Sequence, residues 1–290
     1  MHLMDNILKL HRDLTNKTYQ HGPYEAFNIS DPKPRNIHKA TVRDRLLHHA
    51  LYRKLYPFFD TTFISHSYSC RKNKGTHKAI TAFTTCAQKV SNNHTKTVWV
   101  LKCDIKKFFA SIDHACLFQV LEKRILDPEL LWLLKEVVIS FATAPGKGLP
   151  LGNLTSQLLV NIYMNEFDQF VKHTLRCKYY LRYADDFVFF SSDRQALAEI
   201  VRLIVLFLRA TLKLELHPNK VSIETVSSGV DFLGWVHFPY HRTLRTVTKR
   251  RMFRSMRQVP VDPASVKSYL GLLGHGDSYK LRVNLESLSI

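Results

Sequence analysis

The stretch Tyr180-Leu181-Arg182-Tyr183-Ala184-Asp185-Asp186-Phe187-Val188-Phe189-Phe190 decides the fold. Apolar and aromatic residues run up to a pair of aspartates and resume directly after it, which predicts two strands joined by a tight turn. Successive side chains of a strand point to opposite faces, but at a hairpin tip Asp185 and Asp186 can both approach one point outside the sheet. Hard divalent cations, which prefer oxygen ligands, are one reason to place carboxylates there. An ordinary Asx-rich turn is the alternative on this stretch alone.

The composition predicts a globular protein with a polyanionic partner. The chain has 290 residues, of which 45% are apolar, enough for one large domain or two modest ones. Lysine and arginine number 42 against 24 aspartates and glutamates, which gives a formal net charge of +18. Nucleic acid is therefore the first candidate for the partner, and a membrane surface is the second.

Apolar runs and cysteine usage favour a cytoplasmic protein without a membrane span. The longest candidate span, 197–212, is interrupted by three charged residues, so we expect an amphipathic helix there, capped by Asp193. The N-terminus lacks the charged and apolar regions of a secretion signal. The five cysteines include no CxxC pair, and the 15 histidines show no ligand spacing, which argues against a disulfide framework and a zinc site.

Helix signals recur along the chain. We expect a short helix over residues 5–20 and a second from Val42 to about Tyr56, ended by Pro57. Asp113 and Asp127-Pro128 are typical of helix N-termini, since aspartate caps a helix and proline suits its first position.

Two basic stretches precede the central strands. The prolines of Asp31-Pro32-Lys33-Pro34-Arg35-Asn36-Ile37 favour an extended backbone, which either presents Lys33 and Arg35 to phosphates or is a solvated linker. The basic turn at 67–77 places Gly75 before a helix and could cradle phosphate with backbone N–H groups.

A third carboxylate follows a strand. The segment 97–105 is predicted to be a buried strand that ends on Asp104. An acid at the end of a buried strand is costly unless a cationic group meets it. Asp104 is therefore our candidate to join Asp185 and Asp186; a cap or a partner for a nearby lysine is the alternative.

The remaining motifs lie in a loop, a hairpin and a basic run. A loop at 144–157, rich in glycine and proline, leads into a helix, and glycine lets backbone lie close to a flat ligand. Residues 230–235 predict a further hairpin. The segment from Arg242 to Arg257 holds seven basic residues and no acid, which favours contact with backbone phosphates over a merely solvated face.

Together these motifs resemble the reverse transcriptases in order and in local sequence. An acid at a strand end, an acidic pair on a hairpin and flanking basic elements suit two-metal phosphoryl transfer. The matching motifs are Asp104 with Phe108-Phe109, the loop Gly148-Leu149-Pro150-Leu151-Gly152-Asn153-Leu154-Thr155-Ser156-Gln157, Tyr183-Ala184-Asp185-Asp186, Lys220 and Phe232-Leu233-Gly234. The resemblance implies an α+β right-hand polymerase fold: fingers over 1–96, a palm with an antiparallel sheet backed by helices over 97–236, and a short, basic, helical thumb over 237–290.

The resemblance also implies roles for individual residues. Asp104 and Asp185 would hold two Mg²⁺ ions, for which Mn²⁺ could substitute, with Asp186 and the Ile105 carbonyl assisting. Phe109 resembles the steric gate that excludes a 2′-hydroxyl, which makes dNTPs the substrate. The other residues expected at the dNTP are Lys33, Arg35, Leu151, Gly152 and Lys220, the last of them near the pyrophosphate. Those expected at template and primer are Arg71, Lys74, Gln157, Phe232, Leu233, Gly234, Arg245, Lys249, Arg250 and Arg254.

The loop before the predicted palm helix points to a lineage. Most reverse transcriptases carry Gln-Gly and later Ser-Pro there, whereas this chain has Leu151-Gly152 and Ser156-Gln157. That pair resembles the reverse transcriptases of diversity-generating retroelements, which implies error-prone copying of a template RNA at adenines and a small, basic, oligomeric accessory protein. Few acids follow Asp231, so we expect no RNase H or endonuclease domain.

Two other functions are open at this point. One is another prokaryotic reverse transcriptase, of the group II intron or phage-defence type, although Gln157 departs from the intron pattern. The other is a non-catalytic RNA-binding protein on a degenerate palm, against which the complete carboxylate set argues.

Overall fold

A four-stranded antiparallel sheet forms the centre of the computed structural model, which describes residues 3–30, 34–257 and 262–287. Its strand order is β4-β5-β3-β6, and the strands are β3 (Trp99–Asp104), β4 (Tyr180–Tyr183), β5 (Asp186–Ser191) and β6 (Ser222–Thr225). The hairpin predicted around Ala184 and Asp185 is confirmed, since β4 and β5 pair on either side of these two residues.

Helices cover both faces of this sheet, so its strands are apolar on both sides. Leu101, Phe187 and Phe189 pack with helices α7 (Leu154–Gln169) and α8 (Arg194–Leu212). The alternate residues Val100, Val188 and Phe190 pack instead with α3 (Thr76–Val90). Asp193 caps α8 as predicted, by accepting a hydrogen bond from the Gln195 N–H.

Five other helices among the described residues surround the hydrophobic core that contains Leu101, Phe187 and Phe189. They are α1 (Leu3–Thr15), α2 (Val42–Asp60), α4 (Phe108–Ser111), α5 (His114–Glu122) and α6 (Pro128–Ile139). Asp113 and Asp127 cap α5 and α6 as predicted. The helix expected over 5–20 ends at Thr15, and Lys17 adopts a positive φ of 55° that is incompatible with continuing it.

The prediction that Pro57 ends the second helix is wrong. Helix α2 runs through Pro57 to Asp60. Proline removes one backbone donor and crowds the preceding turn, but the buried Tyr56 and Phe59 on either side hold the helix in the core. Tertiary packing therefore outweighs the local preference.

Two smaller sheets and a C-terminal helical group complete the described residues. Strands β1 (Glu25–Ile29) and β2 (Arg35–Lys39) form a hairpin, and β7 (Val230–Phe232), β8 (Trp235–His237) and β9 (Arg242–Leu244) form a three-stranded sheet. Helices α9 (Thr246–Met256), α10 (Pro263–Leu273) and α11 (Tyr279–Ser287) pack around Trp235 and reach Ile80 of α3. None of the helices in the described part of the chain is long and apolar enough to cross a membrane.

Candidate active site

The three predicted carboxylates meet at one end of the central sheet. Asp104 ends β3 and lies directly opposite Asp186, the first residue of β5. Asp185 precedes Asp186 in the turn. The chain reaches this arrangement because β3 and β5 are antiparallel neighbours, so the end of one strand meets the beginning of the other.

Burial and mutual repulsion make it costly for all the carboxyl groups at this end of the sheet to be ionised together. Burial raises the pKa of Asp185 to about 6, and the neighbouring carboxylates of Asp186 and Asp104 add to the effect. Burial likewise raises the pKa of Asp186, with Asp104 adding to it while Lys102 and Lys220 oppose it. A divalent cation with oxygen ligands would offset this repulsion, and carboxylates are the ligands that such cations prefer.

Lys220 is the cationic group that meets Asp104. Its Nζ lies 2.9 Å from both carboxylate oxygens of Asp104. Within the part of the chain that the structure describes, no three His, Cys, Asp or Glu side chains are grouped as metal ligands. Because Lys220 already bonds both oxygens of Asp104, a metal ion at Asp104 would replace Lys220 as the partner of that carboxylate.

Backbone hydrogen bonds fix the strand end that carries Asp104. The Asp104 carbonyl accepts a hydrogen bond from the His217 N–H at 2.7 Å, and the Lys106 N–H donates to the Glu215 carbonyl at 2.9 Å. Ile105, whose carbonyl is the predicted further ligand, lies between these two bonds and is 1% exposed.

Two of the predicted nucleotide residues, Leu151 and Gly152, lie in one loop. Strand β2 docks on it, because the His38 N–H donates to the Leu151 carbonyl at 2.9 Å and the Asn153 Nδ2 donates to the His38 carbonyl at 2.8 Å. Arg35 is exposed at the start of the same strand. The Phe109 carbonyl accepts from the Leu149 N–H at 2.8 Å, which ties the predicted gate to this loop. Lys33 lies outside the described residues.

Gly152 lets β2 approach the loop closely. Its φ is +102°, and an added Cβ would lie 2.7 Å from the Ile37 Cγ2. A larger residue would therefore meet both an unfavourable backbone conformation and a steric clash.

Two of the residues expected at the template are engaged within the chain. The Arg71 guanidinium donates to Asp60 and to the carbonyls of Ile64 and Ser67, and its side chain is 6% exposed. Four of the five guanidinium N–H groups are thus engaged within the chain, and contact of Arg71 with the template stays a prediction. Lys74 donates to the Ser65 carbonyl at 2.7 Å but stays near the surface. Gln157 is half-buried on α7.

The predicted primer residues lie in the turn between β7 and β8. Leu233 and Gly234 have positive φ values of 51° and 88°, whereas the Phe232 side chain is fully buried. Leu233 and Gly234 are partly exposed at this turn, and their contact with a primer stays a prediction. Arg245 stabilises the turn, because its side chain donates to Asp231 and its backbone N–H donates to the Gly234 carbonyl.

Helix α9 carries the predicted basic residues nearest the C-terminus. Arg250 and Arg254 are exposed, and their spacing puts them on one face of the helix. Lys249 is half-buried.

Reasoning from the sequence missed a buried ion pair behind the acidic turn. Arg182 on β4 and Asp168 on α7 both have fully buried side chains, 2.7 Å apart at their closest atoms. A lone arginine within a buried apolar strand signals that a partner must exist, but nothing in the local sequence identifies Asp168.

Comparison with known proteins agrees with this geometry. A family model described as Reverse transcriptase (RNA-dependent DNA polymerase) matches residues 29–237. The chain is 28% identical to protein YkfC of Escherichia coli K12, over 88% of this chain and 74% of that protein. It is 25% identical to the group II intron-encoded protein LtrA of Lactococcus lactis, over 58% of this chain and 28% of that protein.

Solved structures support the fold. Telomerase from Candida albicans, in complex with a TWJ fragment of telomeric RNA, superposes with a TM-score of 0.59 at 11% identity, covering 89% of this chain and 55% of that chain. Apo telomerase from Candida tropicalis gives 0.58 at 11% identity, covering 87% and 52%. The chain thus spans about half the length of these telomerases. The predicted α+β right-hand polymerase fold is confirmed.

Proposed function

The chain belongs to the reverse transcriptase (RNA-dependent DNA polymerase) family, and we propose that it copies an RNA template into DNA at Asp104, Asp185 and Asp186. The observation that carries this proposal is the convergence of the three carboxylates at one end of the sheet, with raised pKa values for Asp185 and Asp186. Such a site favours bound cations and a reaction in which negative charge must be neutralised. The enzyme is a nucleotidyltransferase of the RNA-directed DNA polymerase class.

The side chains around the carboxylates divide the work. Bound at this site, two Mg²⁺ ions would supply activation of the primer 3′-hydroxyl and neutralisation of the triphosphate. Lys220 would turn its ammonium group from Asp104 toward the pyrophosphate and act there as a charge partner or proton donor. Phe109 would exclude a ribose 2′-hydroxyl, and Lys33 and Arg35 would hold the triphosphate and base.

The proposal divides the chain into the three regions of a right-hand polymerase. Residues 1–96 form the fingers, 97–236 the palm and 237–290 the thumb. Exposed basic residues on α9, Arg250 and Arg254, would track the backbone of the template–primer duplex.

The finer proposal is that the enzyme serves a diversity-generating retroelement and copies adenines inaccurately. Leu151 supports it, because an aliphatic side chain there lacks the amide that could hydrogen-bond near the incoming nucleotide. The Leu151 carbonyl is held by His38, so Leu151→Gln should change the side chain without moving the loop. We expect that variant to misincorporate less opposite adenine; an unchanged error rate would contradict the role of Leu151. A basic accessory protein oligomer would be a partner in this setting.

A second candidate is a group II intron-type reverse transcriptase. The likeness to the group II intron-encoded protein LtrA favours it. Accurate copying of adenines by the wild type would support this alternative over the retroelement.

The test is magnesium-dependent dNTP incorporation on a primed RNA template, followed by sequencing of the products. Asp185→Asn should abolish incorporation, because it removes a carboxylate while keeping the side-chain shape. Asp127→Asn is the matched control, since Asp127 caps the distant helix α6. Absence of incorporation by the wild type, even with RNA and accessory protein from the same locus, would overturn the proposed activity and favour an RNA-binding protein.

A further inference from the structure

The buried pair of Arg182 and Asp168 lies directly behind the acidic turn. The Arg182 Nε and Nη2 donate to the two oxygens of Asp168 at 2.8 and 2.7 Å, a bidentate geometry. Both side chains are 0% exposed. A charge buried in this way is retained only with its partner and with the rest of its donors satisfied.

The other donors of Arg182 reach three further residues. Nη1 donates to the Asn161 Oδ1 at 3.3 Å and to the Ala184 carbonyl at 3.1 Å, and Nη2 donates to the Ser67 Oγ at 3.0 Å. All five N–H groups of the guanidinium are therefore used. The bond to Ala184 is the one that reaches the turn between β4 and β5.

Ala184 has an unusual backbone conformation for its residue type. Its φ is +55°, in the left-handed region that alanine disfavours because of its Cβ. Such residues persist where the surrounding structure over-determines them, and they cluster at functional sites. The next residue is Asp185, so the orientation of the Ala184 peptide affects where the carboxylates point.

A purely structural role does not require an ion pair here. Replacing a buried ion pair with apolar residues of similar volume is often neutral or stabilising. What apolar residues cannot supply is a rigid donor aimed at the Ala184 carbonyl.

We propose that Arg182 is a positioning residue for catalysis. Through the Ala184 carbonyl it fixes the turn so that Asp185 and Asp186 face Asp104, and Asp168 orients its guanidinium. This inference rests on the proposed polymerase activity. A lysine at position 182 can keep the charge beside Asp168, but its single ammonium group cannot also serve the turn.

The experiment compares two perturbations of the network with a matched control. Arg182→Lys keeps the charge, and an apolar variant that combines Arg182→Met, Asp168→Leu and Tyr180→Phe removes the pair together with the Tyr180 hydroxyl that donates to Asp168. The control is Arg43→Lys, at a partly buried arginine that pairs with Asp13 away from the sheet end. Thermal unfolding gives the folded fraction, steady-state incorporation gives kcat and KM for dNTP, and hydrogen exchange of residues 180–190 reports on the turn.

We expect both network variants to lower kcat per folded molecule by ~10²-fold, as a small misplacement of reacting groups does. KM for dNTP should change little, because the loss falls on the transition state. Exchange at the turn should accelerate in both variants, and Arg43→Lys should leave kcat and exchange unchanged.

Wild-type kcat and wild-type exchange in the folded apolar variant would overturn the inference. An equal loss of kcat per folded molecule in Arg43→Lys would also overturn it, because the effect would then be general destabilisation. If the apolar variant does not fold, Arg182→Lys decides by the same readouts. If the wild type does not incorporate dNTP, the proposed activity fails, and unchanged exchange at the turn then refutes the positioning role separately.

Discussion

Replacing Gly152 with alanine tests whether β2 must lie against the loop that carries Leu151 and Asn153. The added Cβ would be 2.7 Å from the Ile37 Cγ2, closer than real Cβ contacts. Ile37 lies in β2, and the next residue, His38, makes both hydrogen bonds to the loop, to Leu151 at 2.9 Å and from Asn153 at 2.8 Å. Relief of the clash would therefore stretch or break these two bonds.

The expected magnitude has two parts. A positive φ costs a non-glycine residue roughly 1–2 kcal/mol. The two hydrogen bonds contribute about 1 kcal/mol each, so Gly152→Ala should lower the free energy of unfolding by roughly 3 kcal/mol in total. Gly146 is the control: its φ is +67° and nothing lies within 4 Å of an added Cβ. Gly146→Ala should lose only the backbone part.

The assay is urea unfolding combined with a double-mutant cycle. Ile37→Ala removes the clashing methyl group, so it should restore part of the stability lost in Gly152→Ala, with a coupling energy of about 1 kcal/mol or more. KM for dNTP should rise in Gly152→Ala and recover in the double variant, because Arg35 is on the displaced strand. Equal losses for Gly152→Ala and Gly146→Ala, without coupling to Ile37, would refute the close docking of β2.

Three further predictions concern other parts of the molecule. Burial and Arg242 lower the pKa of His237 from 6.5 to about 4. The unfolded state therefore binds a proton before the folded state does, and stability is lost as pH falls from about 6.5 to about 4. His237→Phe should remove about 3 kcal/mol of this loss, measured by urea unfolding between pH 7 and pH 4. Lys220→Met should lower the Mg²⁺ concentration needed for half-maximal incorporation, since the ammonium no longer competes for Asp104, while kcat falls; an unchanged Mg²⁺ requirement would contradict that competition. Phe109→Ala should allow ribonucleotide incorporation, measured as the ratio of kcat/KM for rNTP and dNTP, and a ratio like that of the wild type would contradict the gate.

Features encoded by neighbouring residues could be predicted from the sequence. The acidic hairpin, the strand ending on Asp104 and the caps at Asp113 and Asp127 each follow from a local pattern, and all are present. The helix through Pro57 could not be foreseen, because the packing of Tyr56 and Phe59 comes from distant parts of the chain.

Contacts between residues far apart in the chain could not be predicted from the sequence. An acid at the end of a buried strand requires a cationic partner, but many lysines could supply it, and only the fold brings Lys220 to Asp104. The same limit hides the ion pair of Arg71 with Asp60, in which a positive charge already has a partner within the chain. Charge counts therefore overestimate the surface available to phosphates.

Arg182 and Lys220 both act at the acidic end of the sheet, and their chemistry suits opposite tasks. Arg182 is fully buried and makes hydrogen bonds with all its donors, so it can hold the turn but cannot follow a substrate. The Lys220 side chain is 42% exposed, and its flexible stem and compact ammonium can leave Asp104 when another cation binds there. Exchanging the two residue types should therefore harm both sites: a lysine at 182 leaves donors missing, and an arginine at 220 makes a bidentate pair that a metal ion displaces less easily.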